Sequence, residues 1–192
     1  EHNVAGVVPK IYFTKGREYH KDRYKSDDLG RIIWYAGGTM DWGNVVSKHI
    51  GLDEVDNGQY DNEKNINFAT GACLLLRRSV IDAVGLFDDK YFLYYEDADL
   101  STRLIKRGFS LVYLPQAIVW HNNAGSSGSG SNLHDYYLTR NKLIFGMKFA
   151  SVKVKALLLK EALLIAKNGR KWQKKGVKDY FFRNFGKGSY AA

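Results

Sequence analysis

Between residues 87 and 104 the chain reads FDDKYFLYYEDADLSTRL, a run of aromatic side chains that stops abruptly at Glu96, Asp97 and Asp99 before apolar residues recur at Leu100 and Leu104. Acids bunched just ahead of an i, i+4 apolar pair read as the first turn of a helix, where free N–H groups and the positive end of the helix dipole favour carboxylates. The aromatics upstream form a wall of large side chains, so the carboxylates sit at the mouth of an apolar-walled site. A helix start alone would account for all three acids, and their meaning therefore turns on the flanking sequence.

Taken in order, VAGVVPKIYF at residues 4–13 has the continuous apolar character of a buried strand, and residues 15–28 are polar without apolar period, a surface loop. RIIWY at 31–35 reads as a second strand, closed by the tight turn of Gly37 and Gly38, and residues 53–65 are acidic and turn-rich. Residues 68–76 form a strand expectation rich in small residues, after which Arg77 and Arg78 open a short helix. Residues 110–113 and 117–120 read as two strands separated by Pro115, with His121 at the end of the second. NNAGSSGSGSN at 122–132 has the composition of a mobile lid over an active site; no Lys-Ser or Lys-Thr follows its glycines, so it is not a phosphate loop. A helix is expected over 134–150, carrying Tyr136, Tyr137, Arg140 and Asn141.

Of the 192 residues 45% are hydrophobic and 14% aromatic, enough for one domain with a substantial core. The single Cys73 cannot form an intrachain disulfide, and the five His show no zinc-ligand spacing. No run approaches the ~18 apolar residues of a membrane span. The net charge of +9 is uneven: residues 1–135 hold 15 basic and 18 acidic residues, a net −3, whereas 136–192 hold 14 and 2, a net +12. Such a segment meets either an anionic membrane face or a nucleic acid, and no RNA-binding module signature is present, so no nucleic acid partner is expected. Ile144, Met147, Val154, Leu158 and Ile165 fall on one helical stripe with lysines off it, which favours an amphipathic helix on a membrane surface.

The flanks of the acidic segment carry a pattern. ATGACLLLRR at 69–78, the aromatic-acidic stretch with its Glu96-Asp97 pair, Gly108-Phe109, the strand ending at Pro115, Val119-Trp120-His121 and Arg140-Asn141 follow one another in an order that resembles the family 2 glycosyltransferases, in particular rhamnosyltransferase-like members that build cell-surface polysaccharides. The resemblance implies an α/β architecture, the C-terminal, acceptor-side half of a GT-A fold with a mixed sheet and flanking helices over residues 1–141, followed by a basic helical tail over 142–192. It implies inverting sugar transfer from a nucleotide-diphosphate sugar to a saccharide or lipid-linked acceptor. Asp97 matches the general base and Glu96 the acid that positions the acceptor, while Asp99 is read as a helix cap. His121 matches a ligand of a divalent ion, magnesium or manganese, whose other ligands come from a DxD motif expected upstream of Glu1; Asp97-Ala98-Asp99 spells DxD only by coincidence of spacing. Arg140 and Asn141 match a pair that touches the donor diphosphate or pins the loop. The enzyme is expected at the cytoplasmic face of the cell membrane as a peripheral protein, and the 192 residues alone, without the donor half, are expected to transfer no sugar. The alternative is a non-catalytic module that uses the basic segment to bind a membrane or a nucleic acid.

Overall fold

The computed structural model describes residues 3–122 and 131–190, so the expected lid at 122–132 lies, over 123–130, outside the described residues. In chain order the strands are β1 (Val4–Phe13), β2 (Ile33–Tyr35), β3 (Gly38–Asp41), β4 (Val46–His49), β5 (Lys64–Ile66), β6 (Leu75–Leu76) and β7 (Ser110–His121). The α-helices are α1 (Arg78–Val84), α2 (Glu96–Lys106), α3 (Asn132–Phe149), α4 (Val152–Asn168) and α5 (Lys171–Phe181). They form two compact units: Glu1–Met40, Ser47–Leu86 and Leu100–Ala124 make the first, and Asp41–Val46, Phe87–Asp99 and Gly125–Ala192 the second. The division expected between residues 141 and 142 falls inside α3.

The first unit is a mixed sheet with flanking helices. β1 and β7 run parallel at its centre, β2 and β6 pair antiparallel with β1, and β5 pairs antiparallel with β7. Burial explains why β1 is mostly apolar: Ala5, Val8, Ile11 and Phe13 are all buried, as an inner strand covered on both faces requires, and the buried Lys10 is paired with Asp56 (2.7 Å). The two strands expected around Pro115 are one strand. Its ladder with β1 shifts register between Pro9↔Leu114 and Lys10↔Ile118, so Pro115, which has no N–H to donate, occupies the irregularity and does not end the strand. The strand expected over 68–76 survives only as β6. Upstream of it the backbone N–H of Ala69 donates to Ser101 Oγ (3.0 Å), so a side chain of α2 takes the place of a ladder partner there. Leu100 and Leu104 are buried, as their spacing predicts, and Arg103 donates to the carbonyls of Val84 (2.9 Å) and Gly85 (3.3 Å), closing the end of α1.

The second unit is built on α3, α4 and α5. Ser131 Oγ accepts from the His134 N–H (3.2 Å) and starts α3; Ser151 Oγ accepts from the Val154 N–H (3.4 Å) and starts α4 directly after the turn at Ala150. A Cβ at Gly146 would lie 2.2 Å from Leu158 Cδ1, so glycine is what lets α4 approach α3 this closely. The expected apolar stripe does not lie on a single helix. Its members are divided between α3 and α4, and Leu158 at 3% exposure and Ile165 face the packed side with Leu138 and Leu143. Leu158 is the buried member, and Ile144, Met147, Val154 and Ile165 are half-buried.

Candidate active site

In the second unit the aromatic run does not continue as helix or strand. Phe92, Tyr94 and Tyr95 take φ values of 62°, 66° and 71°, left-handed backbone that bulky side chains avoid without outside support. The support comes from Arg140 and Asn141, both fully buried on α3. Asn141 Nδ2 donates to the carbonyls of Tyr91 (2.9 Å), Leu93 (2.7 Å) and Tyr94 (2.9 Å), and Arg140 Nη2 donates to those of Tyr91 (3.0 Å) and Lys90 (3.3 Å). Arg140 Nε also donates to Asn141 Oδ1 (3.0 Å), which fixes the amide. Arg140 Nη1 is held by Tyr136 Oη and by the carbonyl of Asn184 (3.4 Å). With both side chains enclosed and bonded to protein, direct contact with a donor diphosphate is not what this arrangement provides; it clasps the segment that precedes the acids.

That segment delivers the start of α2. Asp97 Oδ1 accepts from the Ala98 N–H (2.8 Å), the local bond of a first-turn carboxylate. Asp99 is fully buried and is not the expected cap: its carboxylate accepts from Lys148 Nζ (2.6 Å) and from Tyr91 Oη (3.0 Å), tying the first turn of α2 to α3 and to the aromatic wall. Glu96 differs from both. Its Oε2 is buried with no hydrogen-bond partner among the described residues, and burial, reinforced by the charge of Asp97, pushes its carboxyl up to about 7. The first turn of α2 thus presents two adjacent carboxyls, of which Glu96 changes charge close to neutrality.

In the first unit, β7 ends at His121. The parallel pairing Phe13↔His121 and the bond from the Thr14 N–H to the His121 carbonyl (3.1 Å) set its backbone. Its ring lies against Trp34 of β2, centroids 4.4 Å apart and planes at 32°, while His49 meets the same indole edge-on at 4.5 Å and reaches the Trp34 carbonyl through Nδ1 (3.0 Å). Burial lowers the pKa of both imidazoles, which keeps them neutral. His121 Nδ1 is buried without a hydrogen-bond partner among the described residues. A neutral imidazole with an unsatisfied nitrogen suits a divalent ion as one ligand. No group of three His, Cys, Asp or Glu able to hold a metal occurs among the described residues, so His121 fits as a single contributor to such a site. Sequence reasoning did not find Trp34, His49 or Lys148: their partners lie 15 to 87 residues away with no local pattern to mark them.

The comparisons with known proteins follow the same residues. A family model described as Glycosyltransferase like family 2 matches residues 37–135, just over half of the chain. An N-acetylglucosaminyl-diphospho-decaprenol L-rhamnosyltransferase of Mycobacterium tuberculosis is 45% identical over 73 residues, 38% of this chain and 24% of that protein. A low-salt glycan biosynthesis hexosyltransferase of Haloferax volcanii is 24% identical over 101 residues, 52% of this chain and 33% of that one. The chain therefore spans about a quarter to a third of the length of these curated relatives. Among solved structures, GalNAc-T7 with UDP, GalNAc and Mn2+ aligns over 92% of this chain and 35% of its own, at 14% identity and a TM-score of 0.43, a loose likeness. The mixed sheet with flanking helices is consistent with a GT-A fold, and the family match extends from the Gly37 turn through the Glu96-Asp97 pair to the start of α3: the chain belongs to glycosyltransferase family 2.

Proposed function

We infer that these residues form the acceptor side of an inverting glycosyltransferase that moves a sugar from a nucleotide-diphosphate donor to a saccharide or lipid-linked acceptor during cell-surface polysaccharide synthesis, at the cytoplasmic face of a membrane. The observation that carries the reading is the first turn of α2, where two neighbouring carboxyls follow a clasped, left-handed backbone and Glu96 Oε2 is buried without a hydrogen-bond partner among the described residues.

In the reaction, the acceptor hydroxyl oxygen attacks the anomeric carbon from the face opposite the leaving group. The new C–O bond forms as the bond to the diphosphate oxygen breaks, and the nucleoside diphosphate departs with the electron pair. The hydroxyl proton passes to the Asp97 carboxylate, which is the general base. Glu96, once ionised, accepts a hydrogen bond from the acceptor and orients it. His121 supplies one imidazole to a divalent ion, magnesium or manganese, with the remaining ligands expected outside these residues; when bound, such an ion stabilises the charge of the leaving diphosphate. Arg140 and Asn141 act on the backbone that positions the acids, a role the enclosed geometry favours over touching the donor. Without the donor half, the 192 residues transfer no sugar.

The test is Asp97→Asn in the protein that carries this segment. Turnover should fall about 100-fold or more while affinity for the nucleotide sugar is retained, because the proton acceptor is lost and the shape is kept. A near-normal initial rate in the variant would remove Asp97 from the role.

A further inference from the structure

The stripe read from the sequence is divided between α3 and α4 with Leu158 buried, and α4 presents a second apolar face to solvent. Val152, Ala156, Leu159, Leu163 and Ala166 recur at spacings of 4, 3, 4 and 3, which at 100° per residue places them on one line of the helix, and all five are exposed. Val152 is 84% and Leu163 68% accessible. Lys153, Lys160 and Lys167 form a parallel row beside this line at seven-residue steps, and beyond that row Leu157 and Leu164 are again exposed. The single acid of the helix, Glu161, is turned away from this surface: it accepts from Lys142 Nζ (2.9 and 2.8 Å) on the side packed against α3.

We propose that this outward face of α4 is a lipid-docking surface, on which the helix lies in the plane of an anionic bilayer with its leucines in the acyl boundary and its lysine row at the phosphates. The proposal rests on the membrane-surface part of the reading above and assigns it to a different face from the one the sequence indicated. Long lysine stems can bury alongside the leucines while their ammonium groups stay in the headgroup layer. Charge decides between occupants. Spacings of 4 and 3 would also suit a second copy of the helix, but α4 offers the lysine row of a copy no acid, since Glu161 is turned away and paired with Lys142, whereas an anionic lipid surface neutralises it. Crossing the bilayer is ruled out for α4 by its length and lysines, and among the described residues no helix is long and apolar enough to span.

The 192-residue chain is sedimented with vesicles of zwitterionic lipid alone and with vesicles containing roughly a third anionic phospholipid, at low and high salt. Binding should require the anionic lipid and weaken with salt. The double variant Leu159→Asp, Leu163→Asp should partition at least about 10-fold less well, and Lys153→Glu, Lys160→Glu, Lys167→Glu should abolish binding. Both sets of side chains are exposed, so melting curves should match the parent and show that folding is intact. Phe181→Ser with Phe182→Ser, exposed on and beside α5, should leave binding within a factor of two. Binding carried by the phenylalanines and untouched by the leucine variant would overturn the assignment to α4 while sparing the membrane reading; no binding to any vesicle would overturn both. A concentration-dependent dimer in light scattering that the leucine variant abolishes would identify a second copy as the occupant and also overturn the proposal.

Discussion

His121 and the Glu96-Asp97 pair are both placed by backbone, but by backbone of opposite kinds. His121 ends a parallel ladder whose hydrogen bonds run strand to strand, so its position follows from regular structure and a ring contact with Trp34. The acids follow three aromatic residues in left-handed conformations, in a segment that persists because two side chains on α3 hold the carbonyls of Tyr91, Leu93 and Tyr94. A ladder distributes its support over many small bonds; the clasp concentrates it in Arg140 and Asn141. Position in the second region is therefore far more sensitive to single substitutions than position in the first.

The largest effect should come from opening the clasp. Asn141→Leu removes the donor to the carbonyls of Leu93 and Tyr94 and leaves that of Tyr91 to Arg140 alone, which should cost about 3 kcal/mol and lower Tm by roughly 6–12 °C. Thermal melts of the 192-residue chain measure it, and a loss under 1 kcal/mol would mean the left-handed backbone holds itself.

A smaller effect should follow from Glu96. Its carboxyl is favoured neutral in the fold, so its contribution is intact below the ordinary value near 4.5 and is lost as pH rises through about 7. Glu96→Gln should thus melt close to the parent at pH 4.5 and above it at pH 8, by no more than about 2 kcal/mol once partial exposure is allowed for. In transfer assays the same substitution should move the acidic limb of the rate profile from about 7 to lower pH. A limb that stays in place would release Glu96 from orienting the acceptor.

Least of all should change on the ladder side. His121→Phe removes an imidazole whose Nδ1 bonds to nothing described, so stability should hold within about 0.5 kcal/mol. Manganese affinity, read by EPR on the protein carrying the donor half, should drop by more than tenfold. Destabilisation as large as that of Asn141→Leu would erase the contrast between the two regions.

How much of this the sequence disclosed follows the same division. The apolar run of β1 and the acid-then-leucine start of α2 are local patterns, and both appear where the pattern places them. Pro115 misled because proline breaks a ladder without always ending a strand, and residues 68–74 misled because a serine hydroxyl on α2 supplies bonds that strand propensity attributes to a neighbour. The apolar stripe is divided by the turn at Ala150 into two helices, because periodicity marks a face of a helix but not where the helix ends. The part played by Arg140 and Asn141 was out of reach, since their partners sit about 50 residues upstream in backbone that no propensity would place in the left-handed region.

The clasp also bears on when the acids become usable. Glu96 and Asp97 leave the ribosome more than 40 residues ahead of Arg140 and nearly 90 ahead of Asn184, whose carbonyl braces the guanidinium. Contacts over such separations close late, because the entropy of the intervening loop must be overcome first. The strand that carries His121 is paired with β1 and can set before α3 exists. The acidic turn must wait for α3 and for Asn184, so its backbone is braced only by residues made after it.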